Sequence, residues 1–147
     1  MDPEAFQRVL DRQEITDMLY RYASTIDTSD YDGLRRLFAD DAEAQYGDRD
    51  WMAGADTIVG WIADHGRDMA WHHHLLSVYH VDIDGDMAST LTYHTSHQVA
   101  LADPDTVRVI VARYHDRLRR DDGGWKITRK VMEVLWRETR HAAQVAG

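Results

Sequence analysis

The half of the chain that follows Met69 is the feature that most limits how this protein can fold. Four runs that read as strands, residues 71–83, 88–101, 106–120 and 125–136, are separated only by the segments DIDGDM, ADPD and RDDGGW. These segments are short, turn-rich connectors of the kind found in β-hairpins. Consecutive strands are therefore expected to pair with each other, and the sequence predicts an antiparallel meander.

The first half of the chain has the pattern of helices. Apolar residues recur at helical spacing from residue 3 to residue 26, with Asp2 as a cap and Pro3 at the first helical position. A short helix is expected over residues 31–38, and a short strand over residues 44–46. The segment GADTIVGWIADHG predicts a third helix. Its apolar side is formed by Ile58, Val59 and Ile62, and Gly66 is expected to end it.

Helices in the first half and a long meander in the second indicate an α+β fold. The helices must cover one face of the sheet, and a curved sheet rolled around them forms a cone with an open mouth. A length of 147 residues with 44% hydrophobic residues is enough for one real core and too little for two. We therefore expect a single domain over residues 1–147.

Charge and composition narrow the class of partner. The formal net charge of -9 argues against nucleic acids and anionic membranes, and favours a neutral or weakly polar small molecule. The chain has no cysteine, which excludes disulfides, thiolate metal sites and thiol nucleophiles. Its first twenty residues are acidic and hold no unbroken apolar run, which predicts neither a signal peptide nor a membrane span. We expect a cytoplasmic protein.

The segment AWHHHLLSVYH carries four of the nine histidines. Successive side chains of a strand point to opposite faces, so His72 and His74 share one face and His73 points to the other. One interpretation is a metal site of His72 and His74 with His94 from the next strand. A second makes His74 a general base, and a third leaves the histidines solvated. Surface positions are expected for His65, His115 and His141.

Asp27, at the end of the first helix, is the carboxylate that could support such a base. It follows the apolar Ile26, so an inward direction is one interpretation, and a buried carboxylate needs a partner. In the other interpretation it caps the turn DTSD from the surface. A carboxylate bound to the imidazole of His74 would select its tautomer and raise its basicity.

The aromatic residues and the last strand bear on packing and assembly. Core positions are favoured over cavity walls for Trp51, Trp61, Trp71, Tyr20, Tyr79 and Tyr93. Even so, five tryptophans in so small a domain suit a cavity for a ring-bearing ligand. Both faces of the last strand are apolar around Met132 and Leu135, which predicts a homo-oligomer, a dimer or a trimer, formed through the outer face.

Four segments together resemble one known family. They are LYRYASTIDTSDYDGLRRLFADDAEAQYG, WHHHLLSVYHVDIDGD, SHQVA and RRDDGGWKITR. They are similar to the SnoaL-like branch of the nuclear transport factor 2-like superfamily, and within it to scytalone dehydratase, bile acid dehydratase and hexachlorocyclohexane dehydrochlorinase. The resemblance covers residues 14–136. It implies a cone-shaped α+β roll with a mixed sheet, and an enzyme that eliminates water or halide without a cofactor or a metal.

The resemblance also implies the roles of particular residues. The family's catalytic aspartate and histidine fall on Asp27 and His74, and its active-site tyrosines fall on Tyr22 and Tyr46. Substrate contacts are expected from His97, in SHQ, and from the fourth-strand positions Ala112 and Tyr114, with Trp61 in the wall of the cavity.

Departures from the family pattern limit the choice of substrate. The serine and asparagine of scytalone dehydratase fall here on Ala112 and Tyr114, and the late arginine of the bile acid enzyme falls on Glu133. Scytalone and bile acid conjugates are therefore not expected as substrates. The sequence predicts a cofactor-independent lyase for a small hydrophobic or cyclic substrate. An isomerase, a polyketide cyclase and a non-catalytic ligand-binding or accessory subunit remain the alternatives.

Overall fold

The computed structural model describes residues 2–142, which form three helices and six strands. In chain order these are α1 (Pro3–Asp27), α2 (Tyr31–Arg35), β1 (Phe38–Tyr46), β2 (Met52–Ala53), α3 (Ala55–Arg67), β3 (Met69–Asp84), β4 (Met87–Ala100), β5 (Asp103–Asp121) and β6 (Gly124–His141).

The six strands form one curved sheet in the order β2-β1-β6-β5-β4-β3. Strands β3 to β6 pair with their chain neighbours in antiparallel register, as the short connectors require. Strand β1 pairs in parallel with β6 and antiparallel with β2, so the sheet is mixed. The predicted α+β fold is confirmed: N-terminal helices pack on one face of an open, curved sheet.

Helix α1 follows the local rules of helix formation. The Asp2 carboxylate accepts a hydrogen bond from the backbone N–H of Glu4 at 3.1 Å, and Pro3 occupies the first turn, where its missing N–H costs nothing. One stripe of the helix packs on the inner face of the sheet, where Ile15 and Leu19 are fully buried. This stripe carries the end of α1, and with it Asp27, over strand β3.

Three predicted boundaries in the first half of the chain were wrong, and in the second half β6 extends to His141, five residues past its predicted end. Helix α2 ends at Arg35, because the chain turns there into β1, whose first residue, Phe38, is buried. Strand β1 therefore begins six residues earlier than predicted. Helix α3 continues through Gly66 to Arg67. A Cβ atom at Gly66 would lie 2.5 Å from the phenol oxygen of Tyr31, so this glycine permits close packing instead of ending the helix.

Several aromatic residues that were predicted to fill the core are exposed. Trp71, Tyr79 and Tyr93 are 50%, 53% and 39% exposed, and the rings of Tyr79 and Tyr93 stack with centroids 4.1 Å apart. They lie on the face of the sheet opposite the helices. The outer face also carries Leu75, Leu135 and Trp136, all exposed. Tyr20 and Trp51 are exposed as well, at 44% and 43%.

Within residues 2–142, no helix has the length and apolar character needed to cross a membrane.

Candidate active site

A cavity of about 410 Å³ lies between the helices and the inner face of the sheet. Helices α1 and α3, strand β1 and strands β3 to β6 all contribute to its wall. The apolar and aromatic part of the wall is formed by Tyr22, Ile26, Tyr46, Trp61, Ile62, Val109, Ile110, Tyr114 and Met132. The polar part includes the three histidines His72, His74 and His94.

Asp27 and His74 are hydrogen-bonded at the wall of this cavity. The carboxylate oxygen Oδ1 lies 2.5 Å from Nδ1 of His74, and Oδ2 accepts the backbone N–H of the same residue at 2.9 Å. Both side chains are largely buried, with 19% of Asp27 and 8% of His74 exposed. The two bonds from one residue hold the carboxylate in a single orientation, so the last residue of α1 is joined directly to β3.

This pairing decides which nitrogen of His74 carries the proton. An ionised carboxylate can only accept hydrogen bonds, so Nδ1 of His74 is the donor and Nε2 carries the free lone pair. Burial by itself would raise the pKa of Asp27, but the hydrogen bonds and the charge of His74 outweigh it, and the pKa of Asp27 falls below its ordinary value. The pair therefore presents a basic nitrogen to the cavity, with a carboxylate behind it.

His94 packs against His74 on the inner face of the sheet. Its ring is stacked on His74 with centroids 5.2 Å apart, and its other neighbour is Tyr114 at 4.7 Å. It is 3% exposed, and neither ring nitrogen has a hydrogen-bond partner in the described part of the chain. Burial, followed by the charges of His74 and Lys130, lowers the pKa of His94 to about 3. His94 is therefore a neutral imidazole at the pH of the cell.

His72 completes the row, with its ring 5.8 Å from that of His74. Burial and the charge of His74 lower its pKa. The histidine rings lie side by side and do not converge on one point. Among residues 2–142 no three histidine, aspartate or glutamate side chains are placed to hold a metal ion together.

A cluster of three tyrosines lies in the wall of the cavity. The hydroxyls of Tyr22 and Tyr46 are 2.7 Å apart, and the ring of Tyr22 meets that of Tyr114 edge-on at 5.6 Å. The ring of Tyr46 also packs on Trp61, with centroids 4.9 Å apart. Burial raises the pKa of all three phenols, so they stay protonated and can donate hydrogen bonds into the cavity.

Beneath the tyrosines lies a buried ion pair that the sequence analysis missed. Nζ of Lys130 is 2.7 Å from Oδ2 of Asp116, and the two side chains are 1% and 0% exposed. The same Nζ lies 4.1 Å from the ring centroids of both Tyr22 and Tyr114. Burial lowers the pKa of Lys130 and raises that of Asp116, against the attraction between them. The alternation of Lys130 with Met132 and Val134 was the available signal, because it places the lysine on the same face of β6 as these two apolar residues.

Strand β4 presents polar residues to the interior. Its inward side chains are Thr90, Thr92, His94, Ser96 and Gln98. Ser96 lines the cavity, and its hydroxyl has no hydrogen-bond partner within residues 2–142. His65 is exposed, as predicted, and it also lines the cavity, where it is hydrogen-bonded to Gln98 at 3.2 Å.

Two residues expected to contact the substrate lie elsewhere. His97 is three positions from His94, so it faces the outer side of β4, and it does not line the cavity. Ser96 occupies the inward position beside it. Ala112 does face inward but is 2% exposed, behind the lining of the cavity. Tyr114 and Trp61 lie in the wall.

Comparisons with known proteins agree with this architecture. Uncharacterized proteins of Mycobacterium tuberculosis and Mycobacterium bovis are 32% identical to this chain over 127 residues, which cover 84% of this chain and 84% of theirs.

Solved structures share the fold at lower identity. A proposed aromatic ring hydroxylase from Novosphingobium aromaticivorans is 28% identical, with a TM-score of 0.81, over 91% of this chain and 94% of its own. A proposed scytalone dehydratase from the same organism is 18% identical, with a TM-score of 0.83, over 97% and 98% of the two chains. A type 3 hexachlorocyclohexane dehydrochlorinase from Novosphingobium barchaimii is 14% identical, with a TM-score of 0.84, over 97% and 99%.

The model of the SnoaL-like domain matches residues 7–131, which include Asp27, His74, the tyrosines and the buried ion pair. The resemblance drawn from the sequence is confirmed, and the chain belongs to the SnoaL-like domain family.

Proposed function

We propose that this protein is a cofactor-independent lyase of the dehydratase or dehydrohalogenase type, with His74 as its general base. The observation that carries the proposal is the Asp27–His74 pair, because it presents to a cavity of ligand size an imidazole nitrogen that has no hydrogen-bond partner among residues 2–142. Names among the structures with the same fold, a dehydrochlorinase and a proposed scytalone dehydratase, support the same class of reaction.

The reaction would begin at a carbon made acidic by a neighbouring carbonyl or other electron-withdrawing group. Nε2 of His74 removes the proton, and the electron pair of the broken C–H bond forms the new double bond as the adjacent C–O or C–halogen bond breaks. Asp27 stabilises the imidazolium that results. A departing hydroxide takes the proton from the His74 imidazolium and leaves as water, whereas a halide leaves as the anion and the imidazolium returns its proton to solvent.

Tyr22 and Tyr46 are proposed to stabilise the negative charge that develops on the substrate. Their hydroxyls share one hydrogen bond, which leaves one O–H free to donate to an enolate oxygen or to a departing oxygen. Because burial keeps both phenols protonated, this donor is present across the physiological pH range.

The cavity suits a small ring compound. Its volume of about 410 Å³ lies at the lower end of ligand pockets, and most of the surface area of its wall is apolar. Trp61 and Tyr114 provide flat surfaces for a ring, and Ser96 provides a hydroxyl to orient it.

The same base could return its proton to another carbon instead of expelling a group, which would make the protein an isomerase or a cyclase. The product separates these cases. Elimination lowers the mass of the organic product by that of water or hydrogen halide, whereas isomerisation leaves the mass unchanged. A non-catalytic binding module would not convert the compound at all.

The test is to assay β-hydroxy and β-halo carbonyl compounds with cyclic bodies and to compare Asp27→Asn and His74→Gln with the wild type. A positioned general base contributes about 10²- to 10⁴-fold in rate, so both variants should lose activity by that order. His73→Gln is the matched control, because His73 is exposed on the outer face of the same strand. Circular dichroism checks each fold. If both dyad variants are folded and keep wild-type turnover, His74 is not the base.

A further inference from the structure

Three arginines line the cavity described above, and none of them was considered in the sequence analysis. They are Arg49 from the turn after β1, Arg108 from β5 and Arg137 from β6. All three are exposed, which places them towards its mouth. Within residues 2–142, none of the three guanidiniums has a carboxylate oxygen within 4.0 Å. Among the same residues, their one side-chain hydrogen bond is a weak bond of 3.9 Å from Arg108 to the sulfur of Met69.

Arg137 faces the cavity because of an irregularity in β6. Ala112 of β5 pairs with Val134, but the preceding Val111 pairs with Trp136, so Leu135 is an extra residue in the strand. Such a bulge reverses which side chains face inward beyond it. Ile110, opposite the inward Ser96, pairs with Arg137. Without the bulge, Arg137 would share the outward face of Glu133.

An aromatic contact positions Arg49, and strand pairing sets the place of Arg108. The guanidinium of Arg49 lies over the ring of Trp61, 5.3 Å from its centroid. Gly47, in the same turn, has φ of +67°, and a Cβ atom there would lie 3.1 Å from Nη2 of Arg137. Arg108 pairs with Gln98 on β4 and Thr139 on β6, one row further towards the mouth than Ile110.

The acid that lines the cavity is engaged elsewhere. Among the described residues, Glu138 is the single acid in the cavity lining, and it accepts hydrogen bonds from Nε1 of Trp136 and from Arg140. These bonds lower its pKa. The chain has a net charge of -9, and eight of its arginines form ion pairs within residues 2–142. The three cavity arginines form none within the same residues, so their guanidiniums make a local region of positive charge at one opening.

We propose that the mouth of the cavity is an oxyanion subsite formed by Arg49, Arg108 and Arg137. The substrate class is then a hydrophobic ring compound that carries a carboxylate or phosphate, with the ring against Trp61 and Tyr114 and the anion at the arginines. Guanidinium groups offer several N–H donors in a planar fork that matches both anions. The net charge of the chain suggested a neutral ligand, but the charge at this opening is opposite in sign to that of the whole protein. This inference rests on the cavity of the proposed function and specifies its substrate.

The test compares three compounds that share one ring system: 2-naphthoate, 2-naphthyl phosphate and the neutral 2-naphthamide. Their affinities are measured by isothermal titration calorimetry at low and high salt. We expect the naphthoate or the naphthyl phosphate to bind about tenfold more tightly than the amide, a difference of about 1.4 kcal/mol, because partly exposed ion pairs make modest individual contributions that add up across the three arginines. The better of the two anions identifies the substrate group, and its advantage should shrink in high salt.

The triple variant Arg49→Gln, Arg108→Gln and Arg137→Gln should lose this preference while still binding the amide. Arg21→Gln is the control, because it removes one exposed positive charge of α1 away from the cavity. His74→Gln should keep the preference, so this test can succeed even if His74 is not a base. Equal affinity for anions and amide would overturn the proposal. So would binding of none of the compounds at millimolar concentration, or a preference that survives in the triple variant.

Discussion

Acidification should destabilise this protein through one buried histidine. His94 is 3% exposed, lacks a hydrogen-bond partner among residues 2–142, and has its pKa lowered to about 3. In the unfolded chain its pKa returns to an ordinary value of about 6.5. Below that pH the histidine binds a proton in the unfolded state but stays neutral in the folded state. The stability that neutral His94 provides above pH 6.5 is therefore lost as the pH falls towards 3.

The size of the effect follows from the two pKa values. At pH 5 the unfolded histidine is almost fully protonated and the folded one is almost fully neutral. Each unit below the unfolded value contributes about 1.36 kcal/mol, so His94 should lower the free energy of unfolding by about 2 kcal/mol between pH 7 and pH 5. This is a large part of the 5–15 kcal/mol that is typical of small domains, and it would shift the urea midpoint by about 1 M.

The assay is urea unfolding of the wild type and His94→Gln at pH 7 and pH 5. Glutamine keeps a polar side chain on this inner face but cannot be protonated. His72, whose pKa is also lowered, and the carboxylates titrate in both proteins, so their effects cancel in the comparison. His80→Gln, at an exposed position, serves as control. If the wild type and His94→Gln lose the same stability between the two pH values, the burial argument for His94 is wrong.

Two more predictions concern the buried ion pair and the outer face. Lys130→Met leaves Asp116 buried without its partner, so it should lower the free energy of unfolding by about 3–5 kcal/mol, measured in urea. Adding Asp116→Leu should recover most of this loss. A loss below about 1 kcal/mol for the single change would contradict the prediction. The exposed apolar outer face should make the protein a dimer or trimer, so light scattering should give two or three times 17.0 kDa, and Trp136→Lys should lower that mass. A wild-type mass of 17.0 kDa, that of one chain, would contradict this prediction.

The sequence alone was sufficient for features that depend on neighbouring residues. The cap at Asp2, the proline at the start of α1 and the short connectors of the meander are local, and each predicted its element correctly. The family motif pointed to Asp27 and His74, which are 47 positions apart. The alternation of side chains in β3 correctly placed His72 with His74, since that rule holds within any unbroken strand.

Only the tertiary structure decided which strand faces are inside. Alternation separates two faces but does not say which one meets the helices, so the exposure of Trp71 and Tyr93 was not predictable. The bulge at Leu135 reverses the alternation in β6 and turns Arg137 into the cavity, and no local signal in the sequence marks it. The Lys130–Asp116 pair depends on the pairing of β5 with β6, because charges on two strands become partners only when register brings them together inside the sheet.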